Sequence, residues 1–230
     1  MIQPNEITPI KIFKSAHNRS KIFISGGKGK KGRRDADDLR AAVVFCVSSI
    51  DAYFRSKIIY ILRKQNQSPG RSSLPDAVKK HIQKMIAKKL FNNREYGQLK
   101  SEEKEAIDAL YNSGKPSLIT YLQKALDDFS FQNADRLDEG IRMMGGRQQE
   151  IWGKIGQDDP KPQKTMGRKV DVKIQMRNLF LRRHRIVHDA DLSIHGKKSR
   201  GQPISISYVT VKKWIDSTER MINYLDSMIR

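Results

Sequence analysis

The chain has 230 residues, with 45 Lys or Arg against 25 Asp or Glu, a formal net charge of +20 and a pI near 10.1. Charge of that sign and size argues against cationic partners and favours polyanions, nucleic acid first, bound through salt-sensitive and largely sequence-independent phosphate contacts. The single cysteine, Cys46, excludes an internal disulfide; no run reaches the roughly 18 apolar residues of a membrane span, and the opening Met1-Ile2-Gln3-Pro4-Asn5-Glu6 lacks a secretory layout, so a cytoplasmic, non-membrane protein is expected.

Residues 1–36 read as a basic N-terminal arm. Lys11-Ile12-Phe13 recurs as Lys21-Ile22-Phe23, and Gly26 to Arg34 is a Gly/Lys/Arg run without an apolar residue. Gly27 and Gly32 have P-loop spacing, but Arg33-Arg34 stands where Lys-Ser/Thr is needed, which excludes a Walker motif. The run reads equally as a phosphate-clamping loop or a connector.

From Asp37 the pattern is helical. Leu39, Val43, Cys46, Val47, Ile50, Phe54, Ile58, Ile61 and Leu62 recur at three- and four-residue steps, with Asp35 or Asp37 as cap and Ser68-Pro69-Gly70 as stop. Pro75 opens a second helix through Val78, Ile82, Met85, Ile86 and Leu90, and Ser101 caps a third through Ile107 and Leu110. Another helix runs from about Pro116 to Phe129, and a short one from Asp135 to Met144 stops at Gly145-Gly146. Residues 145–168, rich in Gly, Pro and charge, read as a long loop. Helical spacing resumes near Val172 and continues into the Arg183 region. Beyond the polar 196–202 stretch, Ile204, Ile206 and Tyr208 alternate as a short edge strand would, and Val211, Trp214, Ile215, Thr218, Met221, Ile222 and Leu225 mark a closing helix. The expected fold is all-α: a helical bundle over 37–230, carrying the 1–36 arm and long loops.

The most informative run is Arg182-Arg183-His184-Arg185-Ile186-Val187-His188-Asp189. A fixed cation, Arg183, beside histidines, His184 and His188, is the minimum equipment for cleaving RNA without a metal: the guanidinium holds a phosphate and an imidazole moves the proton of a ribose hydroxyl. On a helix His184 and His188 share a face, whereas Arg183 lies well round from His188. Its side chain must curl back, or the helix must end nearby, or two copies must build the site together. The same residues also read as the solvated coat of a basic helix. A rival metal-dependent nuclease would use Asp171-Val172-Lys173 with Asp158 and Asp159, but that chemistry normally sits on a strand core. A non-catalytic helical module binding nucleic acid or a partner is the other rival. Zinc ligands and a Ser/His/Asp nucleophile elbow have no support, and no cofactor is expected.

Arg183-His184-Arg185-Ile186-Val187-His188 resembles the Arg-(polar)-x-x-x-His signature of HEPN domains, in the subgroup with Ile-Val before the histidine. The helix from Leu39 to Tyr53 is similar to an HEPN opening helix, with Asp51 then Tyr53 as the acidic–aromatic pair. Signature, short loop and one closing helix complete the likeness, which is strongest to RiboL-PSP-type HEPN proteins linked to prokaryotic defence. The resemblance implies a metal-independent endoribonuclease acting as a homodimer with a composite active site, producing a 2′,3′-cyclic phosphate, in antiviral defence or as a toxin with an antitoxin or other defence partner. It also implies His188 as the proton-transfer group, Arg183 as the phosphorane stabiliser and His184 as helper. Asp51 would be a candidate support, and Arg182 and Arg185 candidate RNA contacts.

Overall fold

Among the described residues the fold is carried by α1 (Pro9–Gly26), α2 (Arg33–Asn66), α3 (Ala134–Met143), α4 (Gln148–Gln157), α5 (Val172–His188) and α6 (Tyr208–Met228). This is a computed structural model that describes residues 7–26, 33–66, 78–80, 123, 126, 129–157, 172–188 and 204–229. Among these residues there is no strand, and no helix is long and apolar enough to cross a membrane. The expected all-α bundle is the observed one. Helices read from sequence at Pro75, Ser101 and Pro116 fall largely outside the described residues, although 78–80, 123 and 126 are helical.

The spine is α2, whose 34 residues extend for about 50 Å at 1.5 Å per residue. Every apolar position read from its spacing, Leu39 to Leu62, is buried. Against it lie α1, α5 and α6, and three side chains bolt α2, α5 and α6 together: Cys46 Sγ donates to Thr218 Oγ1 (3.4 Å), which in turn contacts Met176 Sδ (3.6 Å). Burial pushes the Cys46 thiol up to about 12, so it is an inert packing group. Lys57, buried on α2, pairs with Asp226 of α6 at 2.8 Å, and Tyr53 Oη donates to the same carboxylate at 3.2 Å.

Three sequence expectations need correction. The 1–36 arm contains α1, a structural helix of the bundle: Phe13 is fully buried, stacks on His17 (4.7 Å) and meets Tyr53 edge-on (6.2 Å), while Phe23 lies flat on Phe45 (5.2 Å). The 145–168 loop contains α4, because Ile151 and Ile155, one turn apart, are buried and Trp152 packs beside them. Trp152 Nε1 donates to Asp138 Oδ1 (2.7 Å) and Lys173 Nζ to Asp138 Oδ2 (2.6 Å), so one carboxylate of α3 ties down both α4 and α5. The edge strand at 204–208 is an extended lead-in over 204–207, and Tyr208 already belongs to α6. Its carbonyls are taken by side chains: Arg182 donates to Ile204 O (2.9 Å) and Ser205 O (3.1 Å), and Arg40 to Ile204 O (3.2 Å).

The short helix expected at Asp135–Met144 is α3. Asn133 caps it by accepting from Arg136 N (2.9 Å), and Gly145, at φ +82°, ends it with Gly146 N donating to Ile141 O. Gly140 lets α3 approach closely, since a Cβ there would fall 2.8 Å from the Phe131 ring.

His17 sits in the α1–α2 seam at 1% exposure, its Nδ1 3.2 Å from Ser49 Oγ. Burial lowers its pKa to about 4, opposed by Glu219 and assisted by Lys21. The unfolded chain therefore takes up this proton at higher pH than the folded one. Stability from the neutral ring is complete above about pH 6.5 and is lost as pH falls toward 4, to the extent of about 3 kcal/mol. Urea unfolding at neutral pH and near pH 4 is expected to show that much more acid loss in the wild type than in His17→Gln; equal losses would contradict the assignment.

Candidate active site

The stripe Val172, Gln175, Met176, Leu179 and Phe180 buries α5 against its neighbours, with Gln175 facing Ser217 Oγ of α6 at 3.5 Å. With the helix anchored on that stripe, the outer face is fixed by the 3.6-residue turn. Lys173, Arg177, Leu181, His184 and His188 fall within a narrow sector of it. His184 and His188 are both exposed, and their rings lie 4.5 Å apart at 38°. Arg185 and His188 occupy the last turn, where cationic groups meet the negative end of the helix dipole.

Arg183 points elsewhere. At about 100° per residue it stands about 140° round the helix from His188, on the inner side. It is half-buried, and its Nε has no hydrogen-bond partner among the described residues. An unsatisfied buried donor costs about 1–3 kcal/mol, a cost that a bound anion removes. Because α5 runs unbroken to His188, the helix does not end between the two residues.

The remaining candidates separate clearly. Arg182 is bound to the 204–205 carbonyls, which straps the lead-in of α6 to α5. Arg185 is exposed on the outer surface. Both carboxylate oxygens of Asp51 are engaged within the bundle: Oδ2 accepts from Arg55 Nε (2.8 Å) and Oδ1 from Phe131 N (2.7 Å), so it joins α2 to the segment leading into α3. Asp158, Asp159 and Asp171, the carboxylates of the metal-dependent alternative, lie outside the described residues. Lys173, its third element, is held by Asp138. One residue escaped the sequence reading. Arg177 is exposed two turns before His184, and the i, i+7 spacing was the available signal.

The model of the RiboL-PSP-HEPN family matches residues 10–230. The chain belongs to this family. The HEPN match begins within α1, in agreement with the burial of Phe13 and against an arm that stops at residue 36. It also takes in α5 with its Arg183–His188 signature and the closing helix α6. HEPN domains are generally associated with ribonuclease activity, which suggests a nuclease as the broad class of function. No curated protein and no solved structure matches the chain.

Proposed function

We propose that this HEPN protein is a metal-independent endoribonuclease that works as a homodimer. The observation that carries the reading is the exposed His184–His188 pair, 4.5 Å apart, on the same helix as a half-buried arginine, Arg183, whose Nε lacks an acceptor among the described residues. Two imidazoles and a guanidinium supply a base, an acid and a stabiliser of phosphorane charge, which is the full set needed for this cleavage.

One imidazole removes the proton of the ribose 2′-hydroxyl, and the 2′-oxygen forms a bond to the adjacent phosphorus. The bond from phosphorus to the 5′-oxygen breaks, and that oxygen takes a proton from an imidazolium. The products are a 2′,3′-cyclic phosphate and a 5′-hydroxyl. His188 fills the proton-transfer role, Arg183 binds the developing negative charge, and His184 either positions the phosphate or completes the acid–base pair. Arg183 and His188 diverge on their own helix, so the reading pairs Arg183 of one copy with His188 of the other across a two-fold cleft. A role in prokaryotic defence, as an antiviral effector or a toxin restrained by a partner, is part of the same proposal and rests on the resemblance of the Arg183–His188 signature.

Purified protein incubated with RNA in EDTA is expected to yield fragments ending in 2′,3′-cyclic phosphate and beginning with 5′-hydroxyl, read by mass spectrometry. Activity that vanishes with the chelator, or 5′-phosphate ends, would sink this mechanism.

A further inference from the structure

A groove of about 660 Å³ runs along the outer face of α5 and has His184 in its lining. One wall is α5, where Lys173, Arg177 and His184 recur at four and seven residues; the other is the start of α3, residues 132–135. Lys173 is held by Asp138 at 2.6 Å, so its charge is partly spent. Arg177 is different: it is exposed, and it has no ion-pair partner among the described residues. Two turns of helix, about 10 Å, separate it from His184. That puts it within reach of a phosphate close along the strand from one held at the histidines.

The groove is not a plain basic strip. Ile174 and Leu181, at 55% and 53% exposure, flank Arg177 on the same face. Duplex RNA keeps its base faces stacked and would gain only from the cations, whereas a single strand can lay unstacked bases on the apolar side chains. Asp135 on the opposite wall repels phosphate toward α5 and offers an acceptor to the amino groups of bases.

From this geometry we infer that the α5–α3 groove is the path of single-stranded RNA leading away from the cleavage site, with Arg177 as its main phosphate contact and Leu181 as a platform for bases. The inference rests on the ribonuclease reading for the direction of the strand, but the groove can be tested by binding alone. In a dimer whose two-fold passes near the C-terminal turn of α5, each groove runs outward from the shared cleft.

The test is fluorescence anisotropy with a short labelled single-stranded RNA and its duplex form, over a range of KCl, using protein that also carries His188→Ala to prevent cleavage. Adding Arg177→Ala is expected to weaken single-strand binding several-fold and to lower the slope of log K against log [salt] by about 0.7. Leu181→Ser is expected to weaken single-strand binding with the salt slope unchanged. Lys14→Ala, which removes an exposed cation from α1, is the control and is expected to change affinity by less than Arg177→Ala. The groove assignment falls if single-stranded RNA does not bind, if it binds no better than duplex, or if Lys14→Ala matches Arg177→Ala. If cleavage by the wild type is absent while Arg177→Ala still weakens binding selectively, the nuclease reading fails and the groove stands. If cleavage is normal and Arg177→Ala leaves both KM and binding unchanged, the groove fails and the nuclease reading stands.

Discussion

His188→Ala is expected to lower RNA cleavage by about two to four orders of magnitude, the usual worth of a positioned general acid or base. Arg183→Ala is expected to do the same through loss of phosphorane stabilisation, a contribution of about two to three orders of magnitude. The two losses differ in what they ask of the fold. His188 is the exposed last residue of α5, so its replacement should alter stability by no more than about 0.5 kcal/mol. Arg183 is half-buried, but alanine also removes a donor that has no partner among the described residues, and these effects oppose each other. Single-turnover cleavage with circular dichroism and urea unfolding on the same preparations separates chemistry from folding. Arg183→Lys adds a finer reading: it keeps the charge and loses the planar fork, so it should fall between wild type and alanine. Normal cleavage in either alanine variant ends the active-site assignment.

What could be read from the chain depended on how completely apolar spacing coincided with burial. In α2 the two coincide: nearly every buried position from Leu39 to Leu62 is apolar, so the spacing alone marks the helix and its inner face. In α1 they do not. Its inner line includes Phe13, His17, Ser20 and Ile24, so two of these four positions are polar and the periodicity disappears into a basic background. Those polar groups are accommodated locally, with Ser20 Oγ donating to His17 O (2.6 Å) and His17 meeting Ser49. No composition-based reading could anticipate that pairing. Helix α4 was hidden by its glycines. Gly153, where an added Cβ would touch nothing, faces open space, and the helix is held by the tertiary contacts of Ile151, Trp152 and Ile155 rather than by propensity.

The site divides along the same line. The His184–His188 proximity followed from their one-turn spacing, and the structure brings the rings to 4.5 Å. The divergence of Arg183 also followed from helical geometry. The fates of Arg182 and Asp51 did not, since each depends on backbone groups distant in sequence: the 204–205 carbonyls for Arg182 and Phe131 N for Asp51. Sequence spacing reports which side chains share a helix face. It is silent on which of them a loop from elsewhere has already claimed.

The divergence of Arg183 and His188 leads to a second large effect, a recovery of activity by mixing two dead proteins. If each site takes Arg183 from one copy and His188 from the other, a heterodimer of Arg183→Ala and His188→Ala chains contains one site lacking both groups and one site with both intact. Random exchange makes half the dimers heterodimers with one working site of two, so the mixture should recover about a quarter of wild-type activity. If both groups act from the same chain, every site in the mixture lacks one of them and activity stays at the level of the separate variants. Co-expression with two affinity tags, followed by purification through both, isolates the heterodimer and should raise the recovery to about half. A contact of Arg183 with the neighbouring copy's phosphate also explains why its half-buried Nε has no acceptor among the described residues of one chain. The acceptor would be substrate held by the partner's histidines, and the cost of the unsatisfied donor would be relieved only in the assembled, RNA-bound dimer.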